Sequence, residues 1–233
     1  MGNKKVIFFV IFSLLALVAF FVLASILRQL NQEQSNVGSV DEVNDNVINK
    51  DIVGPDPLIT PSLESFIRET DPVLGSKDAE LKILEFADFQ CSYCLAMQTT
   101  LAKVLPEFKG RVSLVWKDFA NPIHLEAKSS AIAGRCAQEQ GKFWEYHDYL
   151  FENQDNLSRE LYNKIALELK LDLSTFNKCV DGQETIELVG QGLDDGQSLG
   201  VDATPYLIIG NSAYNYALDE EELRQAIQEA LEK

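Results

Sequence analysis

Basic side chains are scarce: 20 Lys and Arg stand against 36 Asp and Glu, a formal charge of −16 over 233 residues. A field of that sign repels phosphate backbones, so nucleic acid is excluded as a partner. Histidine is scarcer still, with 2 in the chain, His124 and His147. The 4 cysteines include one Cys-x-x-Cys and no second one, so a zinc set would have to be completed from Cys136, Cys179, His124 and His147. No repeat of stable period and no sustained heptad is present, which argues against a dimer built on a coiled coil. What is there, 46% hydrophobic and 24% charged residues, fits one globular domain with appendages and excludes a disordered, collagenous or disulfide-dense chain.

One appendage is apolar. Val6 to Leu27 is interrupted only by Ser13 and Ser25, and at 1.5 Å per residue it reaches about 33 Å against a hydrocarbon core of about 30 Å. Lys4 and Lys5 precede the run, while Arg28 stands alone after it among acidic residues. That bias keeps the N-terminus cytoplasmic and exports the remainder, all four cysteines included. A signal peptide cut after Val22-Leu23-Ala24 is the rival reading, but its apolar region would exceed the usual length. The expectation is a single-pass anchor over residues 1–28.

Residues 29–70 read as an acidic polar linker. Up to Asp56 they are rich in Asn, Gln, Asp, Glu, Ser and Gly without a helical or strand period, and cannot bury enough to offset their ordering entropy. Thr60 and Pro61 can open a short helix bearing Leu63, Phe66 and Ile67. The folded domain is placed at 71–233. Leu81 to Phe86 reads as a buried strand, Ser92 to Leu105 as a helix, and Arg111 to Lys117 as a second strand, a pattern that calls for a right-handed parallel crossover.

Helical periods then take over, with Leu125, Ser129, Ile132 and Cys136 on one face, Leu161, Ile165 and Leu169 on another, and Ile186, Val189 and Leu193 on a third. Several helices are expected between residues 122 and 199. Tyr206 to Ile209 and Tyr214 to Ala217 read as short strands, and Asp219 with Glu222 as a capping box before a terminal helix facing inward with Leu223, Ile227 and Leu231.

Cys91-Ser92-Tyr93-Cys94 follows directly on the first strand and opens the next helix. Two intervening residues let the thiols close a small disulfide ring, while amide groups at the helix end stabilise a Cys91 thiolate. A stable thiolate is a good leaving group. An inert disulfide and a metal site use the same spacing, and the spacing alone leaves them open.

The stretch Asp71-Pro72-Val73-Leu74-Gly75, with Leu84-Glu85-Phe86-Ala87-Asp88-Phe89-Gln90-Cys91-Ser92-Tyr93-Cys94, Gly141-Lys142-Phe143-Trp144-Glu145-Tyr146-His147 and Gly200-Val201-Asp202-Ala203-Thr204-Pro205, resembles membrane-anchored, DsbA-like bacterial thiol-disulfide oxidoreductases of the thioredoxin superfamily. The resemblance implies an α/β thioredoxin-like fold with a helical insertion, an exposed nucleophilic Cys91 and a more buried Cys94. It also implies a cis Thr204-Pro205 peptide facing the pair, with Thr204 offering backbone hydrogen bonds to an extended substrate.

Glu85 faces the layer opposite to Leu84 and Phe86, where a carboxylate can exchange protons with Cys94, and the resembling proteins carry an acid in the matching place. A water-linked Glu is the plainer alternative, because an unpaired carboxylate is costly in a core. Ser92, where relatives often have proline, and its neighbour Tyr93 are expected to tune the site. Tyr206 either shapes the groove or is an ordinary strand aromatic.

Cys136 and Cys179 both lie on apolar helical faces, and pairing them in a structural disulfide leaves Cys91–Cys94 as the active pair; two buried free thiols are the alternative. Neither histidine supplies a Cys-His triad, and both are assigned helix-start or surface-packing roles.

The function expected is extracytoplasmic oxidation of reduced exported polypeptides through Cys91 and Cys94, with a membrane thiol oxidase or quinone-linked partner restoring the disulfide and no bound cofactor or metal. Reduction or isomerisation uses the same sulfur chemistry, and a noncatalytic membrane-tethered peptide-binding module is the alternative of a different class. The anchor has a direct check. Mass measurement on the membrane fraction is expected to return a chain that retains residues before Ser25, and a chain beginning at Ser25 would establish cleavage instead.

Overall fold

The computed structural model describes Asp56, Pro57 and residues 63–233. The run Val6–Leu27 read as an anchor, the spacer before Asp56 and the Thr60–Pro61 helix start lie outside these residues. Among the described residues no helix is long and apolar enough to cross a membrane. In chain order the elements are β1 Asp56–Pro57, a 3-10 turn Leu63–Phe66, β2 Val73–Leu74, β3 Leu81–Ala87, α1 Ser92–Val104, a 3-10 turn Leu105–Phe108 and β4 Val112–Asp118. Five helices follow: α2 Ala127–Gln138, α3 Phe143–Glu152, α4 Arg159–Glu168, α5 Leu173–Gly182 and α6 Ile186–Ser198. The chain then returns to the sheet with β5 Tyr206–Ile209 and β6 Ser212–Tyr214, and ends in α7 Glu220–Leu231.

The strands form one mixed sheet in the order β1-β6-β5-β3-β4-β2. β3 and β4 run parallel, as the crossover through α1 requires, while β5 lies antiparallel on the other side of β3. Central position and cover on both faces leave every residue of β3 buried except the partly exposed Lys82.

One face, Leu81 and Ile83 of β3 with Val112 and Leu114 of β4, is covered by Met97, Leu101 and Val104 of α1 and by Leu223 and Ile227 of α7. Each such side chain contributes about 1.5–3 kcal/mol by leaving water. The other face, with Leu84, Phe86, Val115 and Ile208, takes Leu199 and Val201 together with Leu63, Phe66 and Ile67. Among the described residues, packing therefore already includes Leu63, upstream of Asp71. The capping box at Asp219 and Glu222 is formed and fixes the start of α7.

Three expectations shift, each for a local reason. β6 begins at Ser212 rather than Tyr214, because Gly210 at φ +58° and Asn211 turn the chain so tightly that Ile209 already pairs with Ser212. Leu125 is not on an inward helical face: α2 starts only at Ala127, and Leu125 is 91% exposed. The inward face of α6 keeps Val189, with Ile186 packed against the core, but continues through Gly192, Asp195 and Gly196 rather than Leu193, which is only partly buried. Glycine is required there by close approach, since a Cβ at Gly192 would stand 2.4 Å from the Asp118 carbonyl oxygen and one at Gly196 would stand 2.6 Å from the Phe119 ring.

That approach completes a buried ionic network that the hydrophobic pattern does not announce. Lys117 of β4 pairs with Asp71 and with Asp195 of α6, the latter at 3.1 Å, and Asp195 also pairs with Arg68. Next to it, Arg135 of α2 meets Asp118 at 2.5 Å, and Asp118 also accepts from Trp116 Nε1 at 2.8 Å. Charges buried in this way are tolerated because each is paired and hydrogen-bonded.

A disulfide joins Cys136 of α2 to Cys179 of α5 across a separation of 43 residues, and both cysteines are buried. In the loop-entropy model a closed loop of that length stabilises the fold by about 4 kcal/mol. Replacing both cysteines with alanine is expected to lower the denaturant midpoint by an equivalent amount. An unchanged midpoint would show that the crosslink does not constrain the unfolded chain.

Candidate active site

β3 ends at Ala87, and the chain turns through Asp88, Phe89 and Gln90 into Cys91, the N-cap of α1. No side chain caps this helix, so its first amides are free to meet the Cys91 sulfur. Both thiols are free. Cys94 has no exposed surface and Cys91 retains 7%, so the nucleophile is more accessible than its partner but not exposed as the resemblance implies. The cis Thr204-Pro205 segment meets it, with the Thr204 carbonyl oxygen accepting from the Cys91 thiol at 3.3 Å.

The two sulfurs titrate in opposite directions. Hydrogen bonding from the Cys94 thiol, then from the Thr204 side chain and the backbone N–H groups of Cys94 and Tyr93, outweighs burial and draws the Cys91 thiol down to about 5. Burial pushes Cys94 far above the ordinary thiol range, and the adjoining Cys91 adds to it. At neutral pH the pair therefore carries one negative charge, on Cys91. Ser92 and Tyr93 are exposed, Tyr93 at 70%. Tyr93 reaches the thiolate through its backbone N–H. Tyr206 is buried edge-to-face with Phe86, as a strand aromatic rather than a groove wall.

Glu85 is fully buried beneath this pair, on the sheet face that α1 covers. Its Oε1 accepts from Gln98 Nε2 at 2.7 Å, and its Oε2 has no partner within the protein. Burial raises its carboxyl from the usual 4.5 to about 7, against the opposing effect of the Gln98 bond, and its charge acts on Cys94. Gln98 also lines an apolar cleft of about 440 Å³ with Leu101, Leu105, Leu114 and Trp144. Sequence reasoning missed Gln98, although its spacing of four from Cys94 places it one helical turn along the same face.

His147 is buried rather than at the surface. Its ring lies between Phe89, Trp116, Phe143, Trp144 and Phe151, and burial holds it below the ordinary imidazole value. Residues 143–151 pack the five-helix segment onto Trp116 in this way. His124 is not a helix-start residue. Its Nδ1 meets Asp88 Oδ2 at 2.7 Å, next to the cysteine turn.

Cys136 and Cys179 are consumed by their disulfide and supply no metal ligands. The one grouping with ligand spacing among the described residues, Glu139, Cys179 and Glu184, includes a disulfide sulfur and two exposed carboxylates.

A low-titrating thiol at a helix start, a buried partner thiol and a cis Thr204-Pro205 segment that meets Cys91 form an arrangement able to support thiol exchange. Residues 68–229 match the family model described as thioredoxin. The chain belongs to the thioredoxin family. It is 30% identical over 182 residues to the probable disulfide bond formation protein D of Bacillus anthracis, covering 73% of this chain and 82% of that protein. BdbD from Bacillus subtilis, in its oxidised crystal structure, superposes with a TM-score of 0.61 at 22% identity over 74% of this chain and 96% of that one, a likeness of fold. The Na(+)/H(+) antiporter NhaA 3 of Salinispora tropica is 29% identical over 163 residues, but the chain spans only 25% of its length.

Glu85 sets a pH dependence whose sign is fixed. Its folded value lies above its unfolded one, so the folded state holds a proton that the unfolded chain releases between pH 4.5 and about 7, and the Glu85 contribution to stability falls as pH rises through that window, by about 3 kcal/mol. In the reduced protein Cys91, drawn down to about 5, contributes a rise in the same window, so the Glu85 share is read as a difference between proteins: relative to wild type, Glu85→Gln, which stays neutral, is expected to gain stability from pH 4.5 to pH 7 in denaturant titrations. An identical pH dependence in both proteins would exclude a proton held by Glu85.

Proposed function

We propose that this protein is a DsbA-like thiol-disulfide oxidoreductase that works outside the cytoplasm, tethered by residues 1–28, and oxidises cysteines of reduced exported polypeptides through a Cys91–Cys94 disulfide. The observation that carries this reading is the contrast within the pair, a thiol drawn down to about 5 beside one pushed far up. A thiolate so stabilised favours the reduced form of the pair, which makes its disulfide a strong oxidant. The name of the Bacillus anthracis relative, a disulfide bond formation protein, agrees with that direction.

In the forward reaction a substrate thiolate attacks Cys91 Sγ, the Cys91–Cys94 bond breaks, and Cys94 leaves with the electron pair. Buried Cys94 has a high proton affinity, and Glu85, titrating near neutrality, is placed to deliver its proton. A second substrate thiolate then attacks the substrate sulfur of the mixed disulfide and expels Cys91 as a thiolate. The substrate has lost two electrons and the pair has gained them. A membrane thiol oxidase or quinone-linked partner removes those electrons again. Thr204, whose carbonyl already meets the Cys91 thiol, lies where an extended substrate backbone would pair.

Equilibration with glutathione gives the decisive measurement. A potential near about −120 mV is expected, and one near about −270 mV would reverse the assignment to a reductase. Cys91→Ser is expected to abolish exchange; full activity in that variant would sink the chemistry, and peptide affinity retained without exchange would isolate a binding role.

A further inference from the structure

The turn that carries Cys91 is held mostly from outside the strand-helix unit to which it belongs. Asp88 is 2% exposed, and its carboxylate is fully engaged. Oδ1 accepts from Gln90 N at 2.7 Å, while Oδ2 accepts from Asn121 N at 2.9 Å and meets His124 Nδ1 at 2.7 Å. Gln90 Oε1 in turn accepts from Glu126 N at 2.7 Å. From the turn that follows α3, Gln154 Nε2 donates to the carbonyl oxygens of Phe89 at 2.8 Å and Cys91 at 2.9 Å. The five-helix segment thus grips the turn at residues 88, 89, 90 and 91.

The grip bears on the sulfurs through the backbone. The Asp88 carbonyl accepts from Cys91 N at 3.1 Å, and the Asp88 backbone also supplies a hydrogen bond to Cys94. The Cys91 carbonyl accepts from Cys94 N at 3.0 Å and Leu95 N at 3.2 Å while it takes the Gln154 bond. The amides of Tyr93 and Cys94 favour the Cys91 thiolate only while they point at it, and pointing requires a fixed turn. A turn freed from its tethers samples orientations in which those donors face water.

We propose that His124, through Asp88, and Gln154, through the Phe89 and Cys91 carbonyls, are positioning residues that hold the Cys91 turn in its reactive geometry, and that the inserted helices exist in part to supply them. The proposal rests on the exchange reading above. His124 acts here as a hydrogen-bond donor, a role that asparagine can replace.

The test uses the full chain in detergent, with wild type, Gln154→Met, His124→Ala and His124→Asn. Two quantities are read: the equilibrium constant with glutathione, and the pH dependence of Cys91 alkylation. Gln154→Met and His124→Ala are each expected to move the alkylation midpoint upward and to shift the glutathione equilibrium about tenfold towards the disulfide form, roughly 30 mV more reducing. His124→Asn is expected to recover most of the shift. Arg224→Gln, which breaks an exposed pair with Glu107 on the far side of α1, controls for general loss of stability and should leave both quantities at wild-type values.

Folded Gln154→Met and His124→Ala proteins with wild-type potential and midpoint would overturn the proposal, even if their unfolding midpoints fell. Either variant decides alone if the other does not fold. A wild-type chain that showed no exchange would instead remove the functional reading itself.

Discussion

A single negative charge, on the sulfur of Cys91, organises the centre of this molecule. In water a thiol holds its proton to well above neutral pH; here a neighbouring thiol, the Thr204 side chain and two helix-start amides hold it ionised down to about 5. These donors can do so because the N-cap of α1 is the cysteine itself rather than a residue that would occupy the amides with its own oxygen. Cys94 shows the opposite limit, with no exposed surface and no charge. Hydrogen bonds to one sulfur and burial of the other give two cysteines three residues apart separate chemical identities.

The core accommodates this charge at a cost that is visible elsewhere. Glu85 lies inside the sheet with one oxygen served by Gln98 and the other unserved, an arrangement a purely structural core would avoid. Its titration near neutrality is the consequence, and it suits the proton transfer proposed for it. Gln98 lies between this carboxyl and an apolar cleft walled by Leu101, Leu105 and Trp144, so the buried acid is one side chain from the surface.

The five-helix segment between β4 and β5 is coupled to the sheet by chemistry of three kinds. Aromatic rings around Trp116 bind α3 to β4. A glycine face on α6 brings Asp195 to Lys117, with Asp71 and Arg68 completing the charges. Hydrogen bonds from Asn121, His124, Glu126 and Gln154 reach the cysteine turn. The first two kinds fix the segment in place, and the third ties it to the backbone that leads into Cys91.

The chain by itself determined the parts of this protein that depend on neighbours in sequence. Strand periods at Leu81–Ala87 and Val112–Asp118, the capping box at Asp219 and the cysteine spacing are all local, and each reads directly because hydrogen bonding and burial act within a turn or a strand. The resemblance added the Thr204-Pro205 segment and an acid at Glu85. Only the tertiary structure decided what distant residues do to one another. It covered Cys91, drew His147 into the aromatic core, turned Leu125 outward, aimed Gln98 at Glu85 and brought His124 and Gln154 to the turn. Those hydrogen-bonded pairings join residues 13 to 65 positions apart, and no period in the sequence encodes them, because a side-chain hydrogen bond is fixed by where two backbones finally pack.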